Sequence, residues 1–258
     1  MNRLIGLLLV LSLSTFPVYA QDDKAFVERA TNAVALLYSQ DQAGGMQMRC
    51  TATIYERTKA VYRFVTAAHC IGNDDTTREL SASAANIPFF VTFDESGANA
   101  KKFYPAKVVL VGYQHRGEDF SVLEVTTTED WPVIPLGDEQ KEVVPAPFWN
   151  IGGPLGLGKV ILEGAIANLD LDRPIVEGDI NWQHSMVLQE SGVNGGSSGS
   201  SLIAKDQHAI VGFLVGTIGG STITAIPVSR FKAVLAAQAK NRYHWYKPVE
   251  ELAPPDVQ

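Results

Sequence analysis

The chain has 258 residues with 28 acidic against 21 basic side chains, a formal charge of -7 that excludes the basic face a nucleic-acid partner would want. Beyond the first 20 residues no apolar run reaches the ~20 residues that a membrane span needs, so no stable membrane anchor is expected. The length suits one large all-β domain or two small ones.

Residues 1–20 read as a secretory leader. Arg3 supplies the positive start, residues 5–13 the apolar segment, and Val18-Tyr19-Ala20 a small-residue cleavage site before Gln21. Removing Arg3 with the leader takes the formal charge to -8, and the mature chain is expected to be exported, to the periplasm or beyond the cell. The domain then spans 21–248, with a loose tail over 249–258 around Pro254-Pro255.

Phe26, Ala30, Ala33, Val34 and Leu37 stand at helical spacing and predict a helix over 25–38. From Met48 the texture changes to short β-branched and aromatic runs bounded by Gly, Pro, Asn and Asp. Strands are predicted over 49–55, 60–66, 89–93, 106–111 and 120–125, a first antiparallel barrel or sandwich over about 45–126. The polar stretch 126–132, ending in Trp131-Pro132, reads as a crossover. The second half, about 133–227, repeats the pattern with strands over 148–151, 160–169, 185–189, 201–203, 210–215 and 222–226. Val228, Phe231, Val234 and Leu235 then predict a terminal helix over 229–240, with Tyr243, Trp245 and Tyr246 packing its end. The architecture is all-β, two β halves with a C-terminal helix.

Cys50 and Cys70 are the two cysteines. In an exported protein such a pair reads as a disulfide rather than two free thiols. Closing a loop of about 20 residues contributes roughly 3 kcal/mol in the chain-entropy treatment. No C-x-x-C or H-x-x-x-H spacing accompanies them, so zinc is not expected.

Three places carry chemistry. His69 ends an apolar strand at a tight corner, Thr66-Ala67-Ala68-His69-Cys70, where a disulfide would hold it in orientation, as a general base needs. The plainer reading is a satisfied core or surface histidine. Asp119 opens Asp119-Phe120-Ser121-Val122-Leu123. It either ends a turn or is buried against an imidazole Nδ1–H, fixing the tautomer. Glu118 is its rival but stands on the turn side of the strand start. The run Gly195-Gly196-Ser197-Ser198-Gly199-Ser200-Ser201 leaves the backbone nearly free of Cβ bulk. A flexible linker is the alternative, but strand-like segments follow at once. A serine on such a turn, beside converging N–H groups, can be a nucleophile with its own oxyanion hole.

Together these residues resemble the trypsin/chymotrypsin-like serine peptidase family in its His–Asp–Ser order. The second half is similar to the bacterial high-temperature-requirement (Deg) branch. The motifs are Ile151-Gly152-Gly153-Pro154-Leu155-Gly156-Leu157, Glu163-Gly164-Ala165-Ile166, Val193-Asn194-Gly195-Gly196-Ser197-Ser198-Gly199 and Ala225-Ile226-Pro227. The resemblance implies a chymotrypsin-like double β-barrel with the site in the cleft between barrels, acting on protein or peptide substrates without a cofactor or metal. It implies His69 as general base and acid, Asp119 as its orienter, Ser198 as nucleophile, and the N–H groups of Gly196 and Ser198 as oxyanion hole. Leu214-Val215-Gly216 matches the strand on which substrate backbone pairs. Glu190, Val193, Phe213 and Thr224 fall near the primary pocket, and a small or medium apolar residue before the scissile bond is expected.

The chain departs from both branches. Ser197 stands where vertebrate-type enzymes have Asp, and Gly195 replaces the Deg branch's usual Pro. The cysteine pair is trypsin-like, and no PDZ-like segment follows, so the Deg cage is not carried over. An inactive homologue that binds peptides, and an esterase using the same three residues, are the competing functions. His115, four residues before Asp119, reads as a solvated loop residue; Asp170, Asp172, Glu177 and Asp179 read as an acidic surface loop without calcium-hand spacing.

Overall fold

Period-two alternation along the β-branched runs gives each strand two different faces, and that alternation sorts the side chains of this protein into two cores. The structure, a computed structural model, describes residues 19–41, 43–71, 88–94, 102–173, 175–177, 180–218 and 222–240. Most of the expected leader, the aromatic cluster at Tyr243, Trp245 and Tyr246, the tail, and Asp179 lie outside the described residues.

Helix α1 (Tyr19–Ala33) leads into β1 (Val34–Gln40), β2 (Met46–Thr58), β3 (Val61–Thr66), β4 (Phe89–Thr92), β5 (Tyr104–Val111) and β6 (Ser121–Thr126). These six strands close into a barrel in the order β1-β2-β3-β6-β5-β4. After the crossover come β7 (Ala146–Gly152), β8 (Val160–Asn168), a small hairpin of β9 (Val176–Glu177) and β10 (Ile180–Asn181), then β11 (Met186–Gln189), β12 (Ser201–Ala204), β13 (Ala209–Ile218) and β14 (Thr222–Pro227). Six of them close a second barrel, β11-β14-β13-β12-β7-β8, and helix α2 (Val228–Ala239) ends the described chain. The double barrel and terminal helix expected from the sequence are both present.

The expected helix over 25–38 is too long. Phe26, Ala30 and Ala33 are buried on one face of α1 as predicted, but Val34 to Tyr38 are buried on both faces and form a strand. That strand pairs with β2 on one side and β4 on the other. A run buried all round suits a strand better than an amphipathic helix, and the first barrel therefore begins at Val34, ahead of residue 45. Lys159, from the β7–β8 turn, donates to the carbonyls of Thr31 (3.0 Å) and Val34 (3.2 Å), placing a cation on the negative end of α1. The β9–β10 hairpin was also not foreseen; two-residue strands leave no periodicity to read.

Strand β7 shows how the cores divide. Phe148 points into the second barrel, while Trp149 and Ile151 face the larger core shared with the first barrel and the helices. Phe231 of α2 joins the halves. Its ring lies edge-on to Tyr55 and Phe120 of the first barrel and to Phe213 of the second, with centroids 5.1–5.2 Å apart. Buried Glu139, from the crossover, accepts the N–H of Ser229 (3.1 Å) and so caps the start of α2 with a negative group.

Candidate active site

Strand β3 delivers Thr66 to a single 3-10 turn, Ala68–Cys70, that carries His69. The corner is fixed by the disulfide from Cys70 to Cys50 on β2, with Cα atoms 6.0 Å apart. It is fixed again by Thr66, whose hydroxyl donates to the carbonyl of Thr51 at 2.7 Å. Asp119 grips this corner at two points. One carboxylate oxygen lies 2.7 Å from Nδ1 of His69, and the other accepts the backbone N–H of His69 at 3.0 Å. A carboxylate only accepts, so Nδ1 carries the proton and Nε2 keeps its lone pair, on a ring about one third exposed (35%). Asp119 itself is buried.

Glu118, the rival acid, stands one residue earlier in the turn. Glu118 is also buried, but its carboxylate accepts the N–H of Tyr113 (3.4 Å), within its own loop. Arg230 of α2 donates to the carbonyl of Gly117 (2.7 Å) and to that of Gln183, tying this loop to the second barrel. Phe120, next to Asp119, is one of the rings that pack on Phe231.

The serine loop, between β11 and β12, is built on the first barrel as much as on the second. Thr51 donates its N–H to the carbonyl of Ser198 (3.0 Å) and its hydroxyl to the carbonyl of Gly196 (2.8 Å), while that hydroxyl accepts the N–H of Gly153 (2.9 Å). Gly199, at φ +79, has no room for a side chain: a Cβ there would stand 2.5 Å from the carbonyl oxygen of Thr51 and 2.6 Å from the nitrogen of Ala67. The residue after Ser198 is thus pressed against the corner that carries His69. Ser198 is half-buried, whereas Ser197, Ser200 and Ser201 are buried. The Ser197 hydroxyl accepts the N–H of Asn194 (3.4 Å), and those of Ser200 and Ser201 are sealed from water.

Two backbone donors in this loop have no backbone acceptor among the described residues. The carbonyl of Gly195 accepts the N–H of Leu155 (2.7 Å), and the carbonyl of Ser197 accepts the N–H of Ser200 (3.0 Å). In a trans peptide the following N–H points opposite its carbonyl, so those of Gly196 and Ser198 turn away from these partners. Among the described residues no backbone acceptor takes either of them. Gly196 holds φ +97, a conformation open to glycine.

Residues 50–213 match the trypsin-like peptidase domain family. The chain belongs to that family. Among solved structures, this trypsin-like peptidase domain is similar to the HtrA-type protease AlgW with decapeptide, at 17% identity and TM-score 0.63 over 84% of this chain and 67% of that one. It is also similar to a variant of AlgW with tripeptide, at 18% identity and TM-score 0.61 over 83% of this chain and 62% of that one. The chain spans about two thirds of the length of these proteases, and the likeness is one of fold.

The residues expected near the substrate fare differently. Phe213 does not line a cleft; it is fully buried and faces Phe231, because a register irregularity at Val211 sets it on the side of the core shared with α2. Leu214 is buried in the second barrel's core, and on the free side its N–H already donates to Ser200 and its carbonyl accepts from Gly199. Among the described residues the unpaired edge of β13 therefore begins at Val215 and runs over 215–218. Val215 is buried, Gly216 lies against Trp182, and Thr224 donates its hydroxyl to the carbonyl of Gly216 (3.1 Å). Val193 packs against the second barrel's core. Thr51 and Leu155 escaped the sequence reading. Both act through backbone or hydroxyl contacts across a chain separation that no local pattern reveals.

Glu190 sits inside the second barrel beside Asn150, whose amide donates to it at 3.3 Å, and its other carboxylate oxygen is sealed from water without a partner. Burial pushes its pKa from 4.5 up to about 7, with the Asn150 hydrogen bond opposing. The folded chain therefore holds a proton there, between those two values, that the unfolded chain releases. Stability falls as pH rises through this window, by up to about 3 kcal/mol at ~1.4 kcal/mol per pK unit. In melts at about pH 5 and about pH 8, the wild type is expected to lose roughly 5–10 °C more than Glu190→Gln. Equal losses would show the carboxylate to be solvated or paired with a cation.

Within the described residues no helix is long and apolar enough to cross a membrane. The cluster of Cys50, His69 and Cys70 has the residue types of a metal site, but both thiols are spent in the disulfide. His184, at Nδ1, contacts Asp170 at 2.8 Å on an exposed surface, consistent with an acidic loop satisfied by its neighbours.

Proposed function

We propose that this chain is an exported serine endopeptidase in which Ser198, His69 and Asp119 form the catalytic triad. The observation that carries the proposal is the two-point grip of Asp119 on His69, through the ring and through the backbone N–H. A histidine that merely fills a core has no need of both.

In the acylation step the Oγ of Ser198 attacks the scissile carbonyl carbon while Nε2 of His69 takes its proton. The oxygen gains negative charge and is met by the N–H groups of Gly196 and Ser198. His69 then hands the same proton to the departing amine as the C–N bond breaks, leaving an ester on Ser198. Water repeats the sequence: His69 takes its proton, the hydroxide adds to the ester carbon, and the proton returns to Oγ as the free acid leaves. Asp119 stays ionised, holding the ring and stabilising its cationic form. The acyl half of the substrate lies along the open edge of β13 over 215–218, as an added antiparallel strand. Near this edge the walls are apolar or hydroxylic, and Glu190 is engaged by Asn150, which supports a small or medium apolar residue before the cut.

A fluorophosphonate probe tests the reading, because labelling needs both an activated hydroxyl and a working oxyanion hole. The expected result is a single adduct on the peptide that contains Ser198, absent in Ser198→Ala. An unlabelled wild type would favour an inactive peptide-binding homologue. Labelling with ester hydrolysis but no protein cleavage would make it an esterase.

A further inference from the structure

The fold gathers three metal-ligand residues that their spacing in the sequence does not announce. The sulfurs of Cys50 and Cys70 and one imidazole nitrogen of His69 all lie within 4.8 Å of one another. Strand β2 supplies the first, and the 3-10 turn after β3 supplies the other two. Both sulfurs are spent in the disulfide, but that bond is not the only tie at this corner. The Thr66 hydroxyl donates to the carbonyl of Thr51 (2.7 Å), beside Cys50, and Asp119 accepts the backbone N–H of His69 (3.0 Å). With the S–S bond opened, these ties still join β2, the turn and the ring.

Two thiolates and an imidazole are a zinc ligand set. Tetrahedral zinc holds sulfur at about 2.3 Å and nitrogen at about 2.0 Å, so its ligand atoms stand roughly 3.5–3.8 Å apart. That span fits inside the 4.8 Å found here, and only the two sulfurs have to part. The ring is also prepared for an ion. A zinc-bound histidine commonly gives its other N–H to a carboxylate, which fixes the tautomer and makes the ligand nitrogen more basic. Asp119 accepts the Nδ1–H of His69 at 2.7 Å and so keeps the lone pair on Nε2.

We propose that reduction of the Cys50–Cys70 disulfide turns this corner into a zinc site, with both thiolates and Nε2 of His69 as ligands. A dithiol reductant supplies the two electrons: its thiols close to a disulfide as the protein's S–S bond opens to two thiols. Zinc then binds both sulfurs as thiolates and releases their two protons. The consequence for activity rests on the peptidase reading above. The bound ion takes the lone pair that would accept the Ser198 proton, so the reduced, zinc-loaded chain is inactive and a chelator restores it.

The test uses the full chain, reduced with dithiothreitol, desalted under nitrogen and titrated with cobalt(II). Reduced wild type is expected to bind one equivalent, with thiolate-to-cobalt absorption in the near ultraviolet and the visible bands of a tetrahedral ion. Oxidised protein is expected to show neither. Asp119→Asn, which moves the ring proton to Nε2, is expected to bind cobalt about ten- to a hundredfold more weakly, and His69→Ala more weakly still. No thiolate absorption in the reduced wild type, or equal affinity in His69→Ala, overturns the proposal. Thermal melts follow the fold: one equivalent of zinc is expected to raise the melting temperature of the reduced protein and not of the oxidised one. A reduced chain whose cooperative melt is lost and not restored by zinc also overturns it. Fluorophosphonate labelling of the reduced protein is expected to be lost with zinc and to return with EDTA; labelling that persists with zinc bound overturns the role of His69. If the probe labels no form of the protein the peptidase reading fails, and the cobalt spectrum still decides the site.

Discussion

Ser198→Ala is expected to lower kcat on any peptide substrate by about 10⁶, with little change in melting temperature. The size of the loss follows from the mechanism: without Oγ no ester forms, and His69 can only activate water in a cleft shaped for another nucleophile. The stability is spared because the loop is held by its backbone. Ser198 contributes its carbonyl to Thr51, and alanine keeps that bond. Steady-state turnover with active-site titration measures the first quantity and a thermal melt the second. Residual activity above about a hundredth would place the nucleophile elsewhere, although the other hydroxyls at 197, 200 and 201 are buried.

Asp119→Asn is expected to cost about 10⁴ in kcat while leaving substrate binding largely intact. The amide oxygen can still accept the backbone N–H of His69, so the corner keeps its shape. The amide nitrogen then faces Nδ1 of the ring, 2.7 Å away in the present arrangement, and it can only donate. Nδ1 must become the acceptor, and the ring proton moves to Nε2, where the base is needed. The histidine is held in place in the wrong tautomer. Comparison of kcat with KM separates this from simple misfolding, which would lower the active fraction found by titration. A variant with kcat near wild type would mean that the base is oriented by something other than Asp119.

Most of the fold was legible because it is written in local alternation. Eleven strands were expected near where they lie, and the terminal helix is displaced by one residue. The exception is instructive. Val34 and Leu37 fit the helical spacing begun by Phe26, Ala30 and Ala33, and only the burial of both faces of Val34 to Tyr38 shows that a barrel needed a strand there. Of the proposed site, the settings of His69, at the close of an apolar strand, of Asp119, at the opening of another, and of Ser198, in a run of small residues, were legible in the sequence. What could not be read was what holds them. Thr51 is one hydroxyl residue among many in β2. Its three hydrogen bonds to Ser198, Gly196 and Gly153 arise from the docking of two barrels. The same applies to Phe213, which looked like a wall of the cleft and faces α2, because the inward and outward faces of β13 are decided by register.

Thr51 also joins the two barrels at the serine loop. It belongs to the first barrel, but its bonds shape a loop between two strands of the second, so neither half alone holds the whole of the proposed triad in place. A chain made only as far as β6 would display His69 and Asp119 with no serine to activate. A second half alone would carry Ser198 on a loop deprived of its scaffold. On the proposed triad, hydrolytic competence then needs both barrels and their docking, since Thr51 holds the serine loop from the other half.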